Sequence, residues 1–129
     1  MSKSLSAESF QVLLPRANAV LDGLVCQRST MTYLEFADAL AMPGPHRIHK
    51  TTRLLERLMK LDVQSGRLPR AALIVSRVGR GLPAAGFFDR ACRLGLFDGI
   101  DPVVFHRNLL RGLYEHKALV DGAPGLTAS

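Results

Sequence analysis

The stretch that decides the fold is MTYLEFADALAMPGPHRIHKTTRLLERLMKLDV, residues 31–63. Thr32-Tyr33-Leu34-Glu35 has the spacing of a capping box, in which a threonine hydroxyl caps the N3 amide and a glutamate reaches back to the cap. A helix follows through Phe36, Ala37 and Leu40 and stops before Met42-Pro43-Gly44-Pro45. Proline is tolerated at a first helical position, so Pro45 is expected to open the next helix, running to about Val63. In that helix His46, Lys50, Arg53, Arg57 and Lys60 recur at steps of four, three, four and three and share one face. Ile48, Leu55 and Leu58 take another face, towards the core. Two helices joined by a tight turn, the second basic on one side and apolar on the other, have the form of a helix-turn-helix with its recognition helix.

Outward from this stretch, an apolar stripe of Val20, Leu21, Leu24 and Val25 marks a first helix ending near Arg28. It begins at Ala7 with Pro15 kinking it, or at Pro15 itself. Downstream, Gly66 to Pro69 is a turn, and Ala71-Ala72-Leu73-Ile74-Val75 reads as a short apolar strand. Arg77 to Pro83, with Gly79 and Gly81, reads as a hairpin tip. A fourth helix covers Phe87 to Leu94 and ends at Gly95. Asp101-Pro102 caps a last helix whose inner face includes Val103, Leu109, Leu110 and Leu113. The fold class is therefore mostly α with a small β element: a winged-helix or helix-turn-helix domain with an added C-terminal helix.

A chain of 129 residues, 47% of them hydrophobic, can bury one core and is too short for two. The expected organisation is a loose N-terminus over residues 1–6, one domain over 7–120 and a loose tail over 121–129. No segment approaches about 18 consecutive apolar residues, and the first residues lack the apolar run of a signal peptide. Cys26 and Cys92 share no metal-ligand spacing and sit among apolar neighbours. They read as small core residues in a reducing compartment, with the cytoplasm as the default location.

Seventeen Lys and Arg against eleven Asp and Glu give a net charge of +6. The excess is local. Arg47, Lys50, Arg53, Arg57, Lys60, Arg67, Arg70, Arg77 and Arg80 are opposed only by Glu56 and Asp62, so residues 47–80 alone carry +7. A partner that reads charge must meet the third helix and the segment of Arg77 and Arg80. Duplex DNA is the expected partner. The alternative is a protein adaptor or inhibitor whose basic face docks on an acidic surface of another protein.

Residues 28–95 also resemble the DNA-binding half of the O6-alkylguanine-DNA alkyltransferases and their non-enzymatic alkyltransferase-like relatives. The resemblance is carried by Met31-Thr32-Tyr33-Leu34-Glu35-Phe36-Ala37, Pro43 and His46-Arg47. The Tyr33-to-Ala37, Tyr33-to-Pro43 and Tyr33-to-Arg47 steps of four, ten and fourteen are those of the family. It implies that Tyr33 crowds a DNA phosphate and that Arg47 enters the base stack from the minor groove in place of an extruded nucleotide. The family's acceptor motif, Pro-Cys-His-Arg or Pro-Trp-His-Arg, is here Pro69-Arg70-Ala71-Ala72. The family's Glu-Gly is here Leu94-Gly95. Thiol, histidine and acid are all missing, and a thiolate acceptor needs a base beside it. The expectation is regulation or repair-accessory work without catalysis and without a cofactor.

Other chemistry is weakly signalled. His46 and His49 are three apart but have no third ligand nearby, and His106 and His116 belong to another helix. Gly79-Arg80-Gly81 lacks the context of a phosphate-binding loop. Phe87-Phe88 reads as core rather than as a base-stacking platform.

Overall fold

The computed structural model describes residues 7–78 and 81–122. Five helices surround a two-stranded sheet: α1 (Ala7–Gln27), β1 (Met31–Thr32), α2 (Tyr33–Ala39), α3 (Arg47–Gln64), β2 (Ile74–Val75), α4 (Ala85–Arg93) and α5 (Pro102–Gly122). The chain is thus mostly helical with a small β element.

The first helix takes the longer of its two expected courses, with Pro15 inside it. Pro15 and Gln11 are both exposed, so the carbonyl that loses its helical donor faces outward. Phe10, Leu13, Ala17, Leu21, Leu24 and Val25 are its buried face. The capping box forms as expected: Glu35 N–H donates to Thr32 Oγ1 at 3.2 Å, and Thr32 N–H donates to Glu35 Oε1 at 2.8 Å. Phe36, Ala37 and Leu40 are buried against α3. Asp101 caps α5 through Val104 N–H at 3.1 Å, with Pro102 in the first helical position.

Several expectations are corrected. Pro45 does not open α3, because His46 takes a left-handed backbone (φ 62°) and helical geometry starts only at Arg47. The strand expected over residues 71–75 shrinks to Ile74–Val75. Residues Arg70–Leu73 coil into a 3-10 turn instead, drawn in by a bond from Arg70 N–H to the buried Asp62 carboxylate at 3.0 Å. The strand's partner is β1, paired parallel with Met31 opposite Ile74 and Thr32 opposite Val75. The hairpin expected at Arg77–Pro83 lies partly outside the described residues. Its base is closed by Ser76 N–H donating to Leu82 O at 2.7 Å, and no antiparallel strand pair occurs among the described residues.

Ile48 and Val103 are exposed rather than buried, since each sits in the first turn of its helix, beyond the elements that cover the later turns. Both cysteines are exposed and free. Cys26 and Cys92 each follow a buried residue, Val25 and Ala91, and one helical step turns the side chain away from the core. α4 begins two residues earlier than expected, and α5 carries its backbone through Asp121 and Gly122. Residues 1–6 and 123–129 lie outside the described residues. Among the described residues no helix is long and apolar enough to cross a membrane.

Phe87 is buried and meets Phe88 edge to face, with ring centroids 5.2 Å apart. Phe97 stacks on Phe105 at 4.5 Å. These rings fasten α4 and the loop after it to α5.

Candidate nucleic-acid interface

The core side of α3 is Thr51, Leu54, Leu55, Leu58, Met59 and Asp62. On the opposite side His49, Arg53, Arg57 and Lys60 are exposed and Lys50 is half-buried, with exposed His46 at the N-cap. At a rise of about 1.5 Å per residue this strip is on the order of 20 Å long. The sequence therefore placed the strip correctly. What it did not show is how far each cation is already engaged.

Arg47 is the most constrained. Its Nε donates to Met42 O at 2.9 Å and its Nη2 meets Asp38 Oδ1 at 2.6 Å, so the guanidinium clamps the α2–α3 turn. Lys50 Nζ donates to Pro43 O at 3.2 Å across the same turn. Arg53 pairs with Glu56 at 3.3 Å, and Glu56 is shared with Arg90 of α4 at the same distance. Arg57 lies over the Phe10 ring of α1, 3.9 Å from its centroid, which leaves the charge on the surface while its stem packs. Among the described residues Lys60 and Arg77 have no acidic partner. Arg80 lies outside the described residues.

Tyr33 is turned partly inward. Its hydroxyl accepts from Ala84 N–H at 2.9 Å, joining the start of α2 to the start of α4. Burial raises its pKa, the Ala84 bond lowers it and the charge of Glu56 raises it, with a net rise. Tyr33 and Arg77 line one cleft of about 410 Å³ together with Leu34 and Ile48. The fold thus carries Arg77 to the starting end of α3.

Two of the nine basic residues counted along residues 47–80 are drawn towards a buried acid. Asp62 is fully buried, and its oxygens accept from Arg70 N, Nε and Nη2 at 3.0, 3.1 and 2.9 Å. Arg67 approaches it at 3.3 Å, and Arg70 Nη1 also reaches Asp22 of α1 at 3.1 Å. Burial alone would lower the Arg70 pKa, but the bonds to and charges of Asp62 and Asp22 outweigh it, and the pKa is raised. One signal for this network was present in sequence: Asp62 lies four residues after Leu58, which puts it on the apolar face of α3.

Among the described residues, no three His, Cys, Asp or Glu side chains gather as a metal site. No protein-family model, curated protein or solved structure matches the chain.

Proposed function

We propose that the protein is a non-catalytic, winged-helix-type DNA-binding protein that lays the outer face of α3 on duplex DNA. The observation that carries this reading is the basic strip from His46 to Lys60, where Glu56, tied to Arg53 and Arg90, is the one exposed or half-buried acid of α3. The starting end of α3 adds to the attraction. No side chain caps it, and the partial positive charge of a helix N-terminus favours phosphate. Arg77 supplies a further exposed cation beside that end.

The test is a salt titration on duplex DNA. Neutralising about four to six phosphates gives a log K against log salt slope of roughly −4 to −5, with binding measurable at about 50 mM salt. A flat dependence, or no binding at that salt, removes the reading.

The clamp on Arg47 favours an ordinary groove or backbone contact over a lesion-sensing finger, because a finger would have to leave both Asp38 and Met42. Arg47→Ala and Lys50→Ala should then weaken binding to intact and abasic-site duplexes alike. Loss of an abasic-site preference in Arg47→Ala alone would favour the lesion-sensing version.

A second reading, a protein adaptor, is favoured by one feature elsewhere. Ile100, Val103 and Val104 are exposed together where the α4–α5 loop enters α5, beside a cleft of about 470 Å³.

A further inference from the structure

His46 and His49 head the outer face of α3. Both rings are exposed, and His49, Arg53 and Lys60 follow one another at steps of four and seven, which is one line along a helix. His46 stands just before that line at the N-cap, with a left-handed backbone (φ 62°) and no side-chain bond to the helix amides. The core side of the helix, with Thr51, Leu54, Leu58 and Asp62, is opposite. The two imidazoles therefore lie on the surface that the DNA-binding reading lays on the duplex. Unlike the lysines and arginines around them, they change charge near neutral pH. Resting on that reading, we propose that His46 and His49 contact backbone phosphates as imidazolium ions, so that duplex binding takes up protons and tightens as pH falls.

The charged neighbours decide the sign. α2 brings Asp38, which Arg47 already holds at 2.6 Å, and Glu35, whose Oε1 accepts from Thr32 N–H at 2.8 Å. The segment after β2 brings Arg77, and α3 itself brings Arg47, Lys50 and Arg53. Further along, Glu56 is shared by Arg53 and Arg90, and Asp62 is buried on the opposite side. Among the described residues neither imidazole is paired with a carboxylate that would hold its proton. A phosphate laid along the strip supplies that anion. An imidazolium meets it with a full charge and two N–H donors, a neutral ring with one donor and no charge. The protonated form is thus the tighter binder, and by reciprocity binding draws protons onto the protein. Affinity is greatest below the range around 6.5 where imidazole ordinarily titrates, and is lost as pH rises through it. The buried His106 acts in the other direction, since its protonation at low pH opposes folding and can only weaken binding there.

The experiment measures affinity for one duplex at about pH 5.5 and about pH 8. Salt is varied between about 50 and 200 mM at each pH, and circular dichroism checks that the protein stays folded at both. The wild-type protein should bind more tightly at the lower pH, by up to about fivefold for each histidine. Its slope of log K against log salt should also steepen by about 0.9 for each proton taken up. A variant carrying both His46→Gln and His49→Gln, uncharged at these positions at either pH, should lose both differences. Lys60→Ala should weaken binding at both pH values and keep them. Wild-type affinity that stays level or falls at the lower pH in folded protein, or a pH dependence that survives in the double variant, overturns the proposal while DNA binding stands. Absence of binding at either pH overturns the DNA-binding reading itself, and this proposal with it.

Discussion

Two Arg–Asp pairs flank α3 and share their chemistry but not their setting. At the first residue of α3, Arg47 meets an Asp38 whose side chain is 62% exposed. After the helix, Arg70 meets an Asp62 whose side chain is 0% exposed. The first pair stands in water, where solvent screens the attraction and an exposed pair contributes between nothing and about 1 kcal/mol. The second has lost its water, so each charge depends on the other for its solvation. The first fastens a turn at the candidate interface, and the second fixes the 3-10 turn that leads into β2. Equal sequence chemistry thus serves a surface that can exchange partners at one end of α3 and an interior that cannot at the other.

The largest expected effect comes from breaking the buried pair. Asp62→Ala leaves Arg70 buried without its main partner and should destabilise the fold by about 3–5 kcal/mol in urea unfolding. Replacing both residues by apolar ones of similar volume should cost far less, because no lone charge remains. If the single and double changes cost the same, the contrast between the two pairs fails.

His106 sharpens the contrast from the other side of the same turn. It is buried, and its Nε2–H donates to Ala72 O at 2.8 Å. Burial lowers its pKa, and the bond to Ala72 only partly offsets this. The unfolded chain, with an imidazole near 6.5, therefore takes up the proton more readily than the folded one. Stability is fully present above about 6.5 and declines as pH falls from there through the lower folded value. His106→Gln keeps an N–H donor without the titration, so its urea midpoint should depend less on pH across this range. An identical pH dependence in both proteins would remove His106 from the account.

The exposed pair should respond weakly. Asp38→Asn is expected to change stability by less than about 1 kcal/mol. It should tighten duplex binding, since it removes an acid from the candidate interface and frees Arg47. Weakened binding in Asp38→Asn would mean that the clamp, rather than the free cation, presents α3 to its partner.

The smallest effect lies in the turn that Arg47 clamps. Ala41 ends α2 with a left-handed backbone (φ 52°), and Met42 N–H returns to Ala37 O at 2.9 Å. α3 and α4 finish with Gly66 and Gly95 in that conformation, where no Cβ opposes it. Ala41→Gly should therefore gain up to about 1 kcal/mol, read as a small rise in the thermal midpoint. A loss would show that the unfolded chain's added freedom outweighs the relieved backbone.

The helices around the capping box were legible because they rest on near neighbours in sequence. Thr32 and Glu35 need only each other, and the basic strip needs only a helical repeat. The candidate site was legible in the same way for Lys50, Arg53, Arg57 and Lys60. The exposure of Ile48 was not legible, because it depends on where the covering elements end. The two cysteines were misread for a related reason, since apolar neighbours in sequence do not fix which way a helix faces.

By itself the sequence determined the helical class, the caps of α2 and α5, the face of α3 that carries charge, and one core's worth of apolar residues. Those follow from local periodicity and from hydrogen bonds spanning three or four residues. Tertiary structure alone decided that Arg70 turns inward to Asp62 and Asp22, that Tyr33 holds the start of α4, and that β2 pairs with β1 rather than with a following strand. Each of these joins groups far apart in the chain. Such contacts are set by which burial leaves the fewest polar groups unpartnered, a condition on the whole fold that no single segment can satisfy alone.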